Sequence, residues 1–278
     1  MSDLISITDL VVDFDTKRGT LHAVRGVSLD IAAGESVGIV GESGSGKTVF
    51  SRAAMGLLRG NRVHRTGKII FEGTDLRTLD NEQVREYWGT KIAMVFQDPM
   101  TALNPVRRIG SQMSESLVKR LGMSKEDAKK RSIELLSQVR LPEPELALTK
   151  YPHQLSGGMR QRVMIAMSIA CNPKLLFADE PTTALDVTVQ AQVLELLADL
   201  RKDMGMAMVI VTHDLGVVAG YTDRIAVMYG GEIVELATTT DLFADVKMPY
   251  TEALMNAIPR IDRKRGSSLA AIEGMPPD

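Results

Sequence analysis

Short apolar runs alternate with longer amphipathic stretches along this chain, and this alternation predicts an α/β protein built around a sheet. The apolar runs predict strands at residues 5–14, 22–31, 36–40, 68–71, 91–96, 175–178 and 207–211. The run at 175–178 is apolar throughout, which is typical of a strand covered on both faces in the middle of a sheet.

Apolar residues that recur at helical spacing predict the helices. They fall at about 47–58, at 107 to about 140 in two pieces, and at 158–170, and a long helix is predicted between the last two strands. Ser124 with Asp127 marks the start of the second piece, because a serine caps free amides and an acid is favourable in the first turn. The proline-containing segment 141–151 is predicted to be a loop.

The composition narrows the class of protein. With 278 residues, 44% of them hydrophobic, the chain is long enough to bury a core. Its 33 basic and 35 acidic residues give a net charge of −2, which argues against a dedicated nucleic-acid surface. The single Cys171 excludes an internal disulfide, and no apolar run approaches the roughly 20 residues that span a bilayer. The N-terminus shows no secretory signal, so a soluble cytoplasmic protein is expected.

Gly41–Thr48 matches the phosphate-loop pattern G-x-x-x-x-G-K-[ST] between a predicted strand and a predicted helix. The glycines let successive N–H groups point at phosphate oxygens, and the helix N-terminus adds a favourable dipole. Lys47 supplies a charge to the outer phosphates and Thr48 a hydroxyl for Mg²⁺. The nucleotide-binding residues predicted here are Ser43, Gly44, Ser45, Gly46, Lys47, Thr48 and Val49. A chance glycine-rich turn is the alternative, and the strand–loop–helix context disfavours it.

The strand at 175–178 leads into two carboxylates, Asp179 and Glu180. Because side chains alternate along a strand, we expect different roles for the two: Asp179 would orient Mg²⁺ through water, and Glu180 could polarise a water that attacks the γ-phosphate. Taken alone, this pair could equally be a solvent-facing acidic strand end. His213 ends the next strand, where a neutral imidazole could hold the γ-phosphate and the water, although a lone histidine is more often structural.

Further motifs make a family resemblance specific. Leu155-Ser156-Gly157-Gly158-Met159 resembles the signature motif of ATP-binding-cassette (ABC) ATPases. The phosphate loop, Gln97, this signature, the acidic strand end, the Ala-Leu-Asp turn at Asp186 and His213 follow in the order of that family, over roughly residues 4–237. The resemblance implies the P-loop NTPase fold of ABC ATPases, with an antiparallel β subdomain and an inserted helical subdomain at about 99–156, in a nucleotide-binding domain spanning 1–260.

The same resemblance implies roles for individual residues. Phe14 corresponds to the aromatic that stacks on adenine, although a plain core aromatic is the alternative. Gln97 corresponds to the glutamine that ligates Mg²⁺ and links the core to the helical subdomain. Ser156, Gly157 and Gly158 would contact the nucleotide held by a second cassette, and Asp186 would cross that interface. ATP and Mg²⁺ are the implied cofactors.

Other features resemble the dipeptide, oligopeptide and nickel importer branch. They are Met159 in the signature, the segment 98–105 and the segment 249–254. The resemblance implies an ATPase subunit that pairs with a second cassette, two membrane permease subunits and an extracytoplasmic substrate-binding protein, at the cytoplasmic face of the inner membrane. Residues 261–278 would begin a C-terminal extension or linker. Branch members often continue into a cysteine-containing segment, so truncation or excision from a tandem chain is one interpretation.

A soluble, non-transport ABC ATPase and a regulatory module are the alternative functions. A soluble ABC ATPase of DNA repair would carry long coiled-coil insertions, and one of translation would carry basic linkers between two cassettes. Neither feature is present in this sequence. A regulatory nucleotide-binding module without turnover would typically lack Glu180 or His213, and both are present.

Overall fold

The structure is a computed structural model that describes residues 3–183 and 185–257. The described residues divide into two compact units, one formed by residues 3–79 with 209–257 and the other by residues 80–183 with 185–208. In chain order the elements are β1 (Asp3–Thr16), β2 (Gly19–Ala32), β3 (Ser36–Val40), α1 (Lys47–Ala54), β4 (Val63–Phe71), β5 (Thr74–Asp75), α2 (Asn81–Tyr87), β6 (Ile92–Val95), α3 (Pro99–Ala102), α4 (Ile109–Leu121), α5 (Lys125–Gln138), α6 (Pro144–Thr149), a 3₁₀ helix (Pro152–Gln154), α7 (Gly157–Ile169), β7 (Leu175–Asp179), α8 (Val187–Met204), β8 (Ala207–Thr212), α9 (Leu215–Val218), β9 (Arg224–Tyr229), β10 (Glu232–Thr238), α10 (Thr239–Ala244) and α11 (Pro249–Ala257).

The first unit contains an antiparallel sheet with the strand order β2-β1-β4-β5. Ile5, Ile7, Leu10 and Val12 of β1 are all buried, and they supply the core beneath this sheet. In the same unit β3 pairs in parallel with β9, and β9 pairs antiparallel with β10. Every residue of β3 is buried, as expected for a strand covered on both faces, so the loop that follows β3 begins from a rigid support.

The second unit combines a parallel strand pair with most of the helices. β6 and β7 pair in register from Ile92 opposite Leu175 to Val95 opposite Ala178. Between these strands the chain forms α3 to α7 and the 3₁₀ helix, and Pro99 to Ser156 contain no strand among the described residues. Ser124 caps α5 by accepting the N–H of Asp127, as the sequence predicts.

Several predicted boundaries are wrong, each for a physical reason. The segment 141–151 is not all loop, because Pro144 occupies the first turn of α6, where its fixed φ and missing N–H are tolerated. Helix α1 ends at Ala54 rather than near residue 58, and Gly56 follows in the left-handed region with φ 71°. Strand β4 starts five residues before the apolar run, because its first half alternates between intermediate and exposed residues.

The strands β9 and β10 have no counterpart among the predicted elements. Residues 225–228 of β9 are all buried, whereas β10 has no buried residue and its apolar signal is correspondingly weak. Within the described part of the chain, none of the helices is long and apolar enough to cross a membrane.

The buried face of the antiparallel sheet provides a test of the fold. Phe71 in β4 is fully buried, so Phe71→Ala removes core packing, and we expect a loss of about 3–5 kcal/mol in the free energy of unfolding. Phe243→Ala is the matched control, because that ring is 39% exposed and its removal leaves no comparable cavity. Urea denaturation measures the free energy of unfolding of each variant. Equal losses of stability in Phe71→Ala and Phe243→Ala would contradict the assigned core.

Candidate functional site

The phosphate loop joins β3 to α1 within the first unit. Gly46 precedes the first residue of α1 with φ 98°, and α1 begins without a side-chain cap. Ser43 and Gly44 are exposed, whereas Ser45 and Lys47 are buried, and Thr48 and Val49 lie on the first turn of the helix. The loop therefore has the strand–loop–helix context that the sequence predicts, with backbone N–H groups at a helix N-terminus available to an anion.

Two glycines of the loop pack directly against neighbouring backbone. A Cβ on Gly41 would lie 2.1 Å from the carbonyl oxygen of Met228, and a Cβ on Gly46 would lie 2.4 Å from that of Ala23. The N–H of Gly231 also donates to the carbonyl oxygen of Ser45 at 3.1 Å. The loop thus packs against β2, β9 and the β9–β10 turn, and only glycine fits at positions 41 and 46.

Lys47 is almost fully buried, with 4% of its surface exposed. Its Nζ donates to the carbonyl oxygens of Gly41 at 2.7 Å and Glu42 at 2.6 Å and to Ser45 Oγ at 3.3 Å. A buried ammonium needs such acceptors, because desolvation of an unpaired charge is costly. The side chain is therefore folded back over its own loop.

The other predicted residues of the first unit lie at strand ends. Phe14 is half-buried near the end of β1, where it pairs with Leu21 of β2 and Val63 of β4. His213 directly follows β8 and is exposed. The adenine and γ-phosphate roles of these two residues stay predictions.

In the second unit, β7 ends with Asp179, which is 1% exposed, and Glu180 follows. Glu180 has φ 45°, a left-handed conformation that is uncommon outside glycine. Its Oε2 accepts a hydrogen bond from Gln97 Nε2 at 2.9 Å and another from Thr183 Oγ1 at 2.8 Å. The two donors hold the carboxylate in one orientation.

Thr183 is the site residue that the sequence reasoning missed. Its signal was a hydroxyl three residues after Glu180 in the turn that follows the acidic strand end, a spacing at which the hydroxyl can return to the carboxylate. Gln97, predicted as a Mg²⁺ ligand, here contacts Glu180 through its amide nitrogen, which leaves Oε1 as the atom able to ligate a cation.

The signature residues form the beginning of α7. Ser156 caps this helix by accepting the N–H of Met159, and Asp186 caps α8 by accepting the N–H of Val189. A Cβ on Gly158 would lie 3.0 Å from Cγ1 of Val189, so the signature turn packs closely on the start of α8. Ser156, predicted to contact the nucleotide of a second cassette, and Asp186, predicted to cross the interface with it, therefore each cap a helix in this chain.

The residues predicted to hold Mg²⁺ have chemistry that suits it. Thr48, Gln97 and Asp179 offer hydroxyl, amide and carboxylate oxygens, the hard ligands that Mg²⁺ prefers. Residues 3–183 and 185–257 contain no group of three or more His, Cys, Asp or Glu side chains that could hold a metal ion. The chemistry of each of these three side chains suits Mg²⁺, and their role as its ligands stays a prediction.

Comparison with known proteins identifies relatives along the whole chain. Residues 24–183 match a family model described as ABC transporter, and residues 234–278 match one described as the C-terminal region of oligopeptide/dipeptide transporters. The chain is 50% identical over 276 residues to the oligopeptide transport ATP-binding protein OppD of Bacillus subtilis, covering 99% of this chain and 77% of that protein. It is 48% identical over 279 residues to the dipeptide transport ATP-binding protein DppD of the same organism. That match covers 100% of this chain and 83% of DppD.

Solved structures agree with these relatives. The chain is similar to a dimeric ATP-binding cassette in a post-hydrolysis state bound to ADP and Pi, with a TM-score of 0.76 and 30% identity over 84% of this chain and 98% of the other. The cassette cbiO1 of Clostridium perfringens, part of the cbiONQ transporter complex, matches with a TM-score of 0.74 and 28% identity. The match covers 88% of this chain and 92% of that one. The predicted ABC ATPase fold is confirmed.

The packing behind the loop predicts different outcomes at two glycines that both have positive φ. Gly46→Ala places a Cβ against the Ala23 carbonyl, so we expect the loop to shift and ATP binding to weaken at least tenfold, by about 1.4 kcal/mol. Gly44 has φ 86°, and a Cβ added there would meet nothing within 4 Å. Gly44→Ala therefore tests the effect of backbone strain alone. Titration with a fluorescent ATP analogue measures both affinities. Equal affinities of the two variants would refute the steric explanation.

Proposed function

The chain belongs to the ABC transporter family, and from this premise we propose that it is the ATP-hydrolysing subunit of a membrane importer of dipeptides or oligopeptides. The observation that carries the substrate class is the similarity at the C-terminus, where residues 234–278 match the region described for oligopeptide and dipeptide transporters. Nickel, a related solute of the same branch, is the second substrate to test. Nothing in the described residues favours a role in DNA repair or translation.

ATP binding is assigned to the residues of the phosphate loop. Backbone N–H groups at the start of α1 would bind the phosphate oxygens, while Lys47 would bring its ammonium to the outer phosphates. Thr48, Gln97 and Asp179 would hold Mg²⁺, which neutralises phosphate charge when bound. Phe14 would offer its ring to the adenine.

Hydrolysis is assigned to Glu180 as the general base. Two hydrogen-bond donors, Gln97 and Thr183, hold its Oε2, so the carboxylate is oriented before a water arrives. An oriented base lowers the entropy cost of proton transfer from the attacking water. His213 would hold the γ-phosphate and the water.

Assembly with a second cassette and with membrane subunits completes the proposal. Ser156, Gly157 and Gly158 would contact the nucleotide bound by the second cassette, and Asp186 would lie at the same interface. Two permease subunits would carry the solute, an extracytoplasmic binding protein would deliver it, and the chain would act peripherally at the cytoplasmic face of the inner membrane. A dimeric relative among the solved cassettes supports the pairing.

The assigned general base predicts a separation of ATP binding from ATP turnover. Glu180→Gln keeps the shape of the side chain but cannot accept a proton, so turnover should fall by roughly 10²–10⁴-fold while ATP still binds. Glu126→Gln is the matched control, because Glu126 is an exposed residue on α5 paired with Lys130. Phosphate release and analogue binding are measured in parallel. Normal turnover in Glu180→Gln would require another residue to activate the water.

The substrate class is tested by transport. The chain is reconstituted in vesicles with its permease and binding-protein partners, and uptake of dipeptides, oligopeptides, nickel and sugars is measured with ATP. We expect ATP-dependent uptake of peptides, or of nickel, and none in complexes carrying Glu180→Gln. Uptake of sugars alone, or transport without a permease, would overturn the substrate assignment while leaving the ATPase assignment intact.

A further inference from the structure

The beginning of the C-terminal helix α11 is anchored to the first unit. The carboxylate of Glu235, on β10, accepts the backbone N–H of Lys247 at 3.0 Å and of Met248 at 3.3 Å, immediately before Pro249. Thr251 is fully buried on the first turn of α11, and Leu254 on the next is 7% exposed. The start of α11 is therefore held against strands of the unit that carries the phosphate loop.

This anchoring places Tyr250 beside the phosphate loop. Its ring packs on that of Tyr229 at the end of β9, with centroids 4.6 Å apart and an interplanar angle of 50°. Its hydroxyl oxygen accepts the backbone N–H of Glu42, the second residue of the loop, at 2.9 Å. Burial raises the pKa of the Tyr250 phenol above its ordinary value, so the hydroxyl is neutral throughout the physiological pH range.

The contact from Tyr250 reaches Lys47 through a single peptide group. The N–H of Glu42 and the carbonyl of Gly41 belong to the same planar peptide unit. The N–H side of this unit donates to Tyr250, and the carbonyl side accepts from Lys47 Nζ at 2.7 Å. Fixing both polar groups of a planar unit fixes its orientation, and each hydrogen bond polarises the other.

We propose that Tyr250 is a positioning residue for Lys47, and that through the Gly41–Glu42 peptide the C-terminal helix α11 tunes the affinity of the phosphate loop for nucleotide. Tyr250 fixes a carbonyl that holds the ammonium of Lys47 over the loop, the position from which the ammonium would turn toward the phosphates of a bound nucleotide. Anything that displaces α11, such as a rearrangement of the C-terminal segment, would then change nucleotide affinity. The inference rests on the proposed binding of ATP by this loop.

The test compares two conservative variants of the tyrosine pair in the full chain. Tyr250→Phe keeps the packed ring and removes the acceptor, whereas Tyr229→Phe is a matched control whose hydroxyl takes part in no hydrogen bond among the described residues. Losing one hydrogen bond that orients the loop should raise the KM for ATP and the Kd of a non-hydrolysable analogue by about 3- to 10-fold in Tyr250→Phe only. We expect kcat at saturating ATP and the melting temperature to stay near those of the parent chain.

A spectroscopic readout separates positioning from a general loss of structure. In amide hydrogen-exchange NMR of the nucleotide-free chain, the Glu42 N–H should exchange faster in Tyr250→Phe and at the parental rate in Tyr229→Phe. Equal KM values in the two variants, or a fall in kcat without a change in KM, would overturn the inference while the parent chain still bound ATP. A parent chain that bound no ATP would instead defeat the proposed function itself.

Discussion

The buried ammonium of Lys47 is the constraint on which the nucleotide half of the site depends. A positive charge on a residue that is 4% exposed is tolerated because oxygens of its own loop, those of Gly41, Glu42 and Ser45 among them, accept hydrogen bonds from it. Those oxygens converge only if the loop is tightly wound. Tight winding in turn requires glycine at positions 41 and 46, where backbone carbonyls from other strands leave no room for a side chain.

In the second unit, the orientation of the Glu180 carboxylate likewise depends on groups that other parts of the fold bring to it. Its oxygen is held by an amide that follows β6 and by a hydroxyl that follows β7, two strands that pair in parallel. The carboxyl ends of parallel strands lie at the same edge of a sheet, which is why Gln97 can reach Glu180 although the two are far apart in the chain. Thr183 reaches the same oxygen within the turn that follows β7. The orientation of this carboxylate thus depends on the pairing of β6 with β7 and on the turn after β7.

Several residues serve local structure and proposed function together. Ser156 and Asp186 each cap a helix with the side chain that the family resemblance assigns to a contact with a second cassette. Tyr250 packs on Tyr229 and also accepts a hydrogen bond from the phosphate loop. Substitution of such residues by alanine would mix the loss of a cap or of packing with the loss of a contact, so conservative variants that keep the shape are the informative ones.

The family and the chemistry could be read from the sequence because they reside in short motifs with local rules. The phosphate loop needs glycines and a lysine at fixed spacing between a strand and a helix, and the acidic strand end follows an apolar run. Strands β3 and β7 could be predicted as well, because each is continuously buried and gives a continuous apolar run, whereas β9, buried over residues 225–228, has no counterpart among the predicted strands. The domain boundaries and the assigned site roles stay predictions.

Only the tertiary structure decided which distant groups meet. Nothing local marks Gln97 as a partner of Glu180 or Tyr250 as the acceptor for the Glu42 N–H, because the first contact depends on strand pairing and the second on where α11 begins. Strand β10 was missed for the same reason, since a strand with no buried residue is defined by its hydrogen bonds to β9 rather than by its own pattern. Hydrophobic periodicity indicates which side chains face the core, but it does not indicate which distant residues they contact.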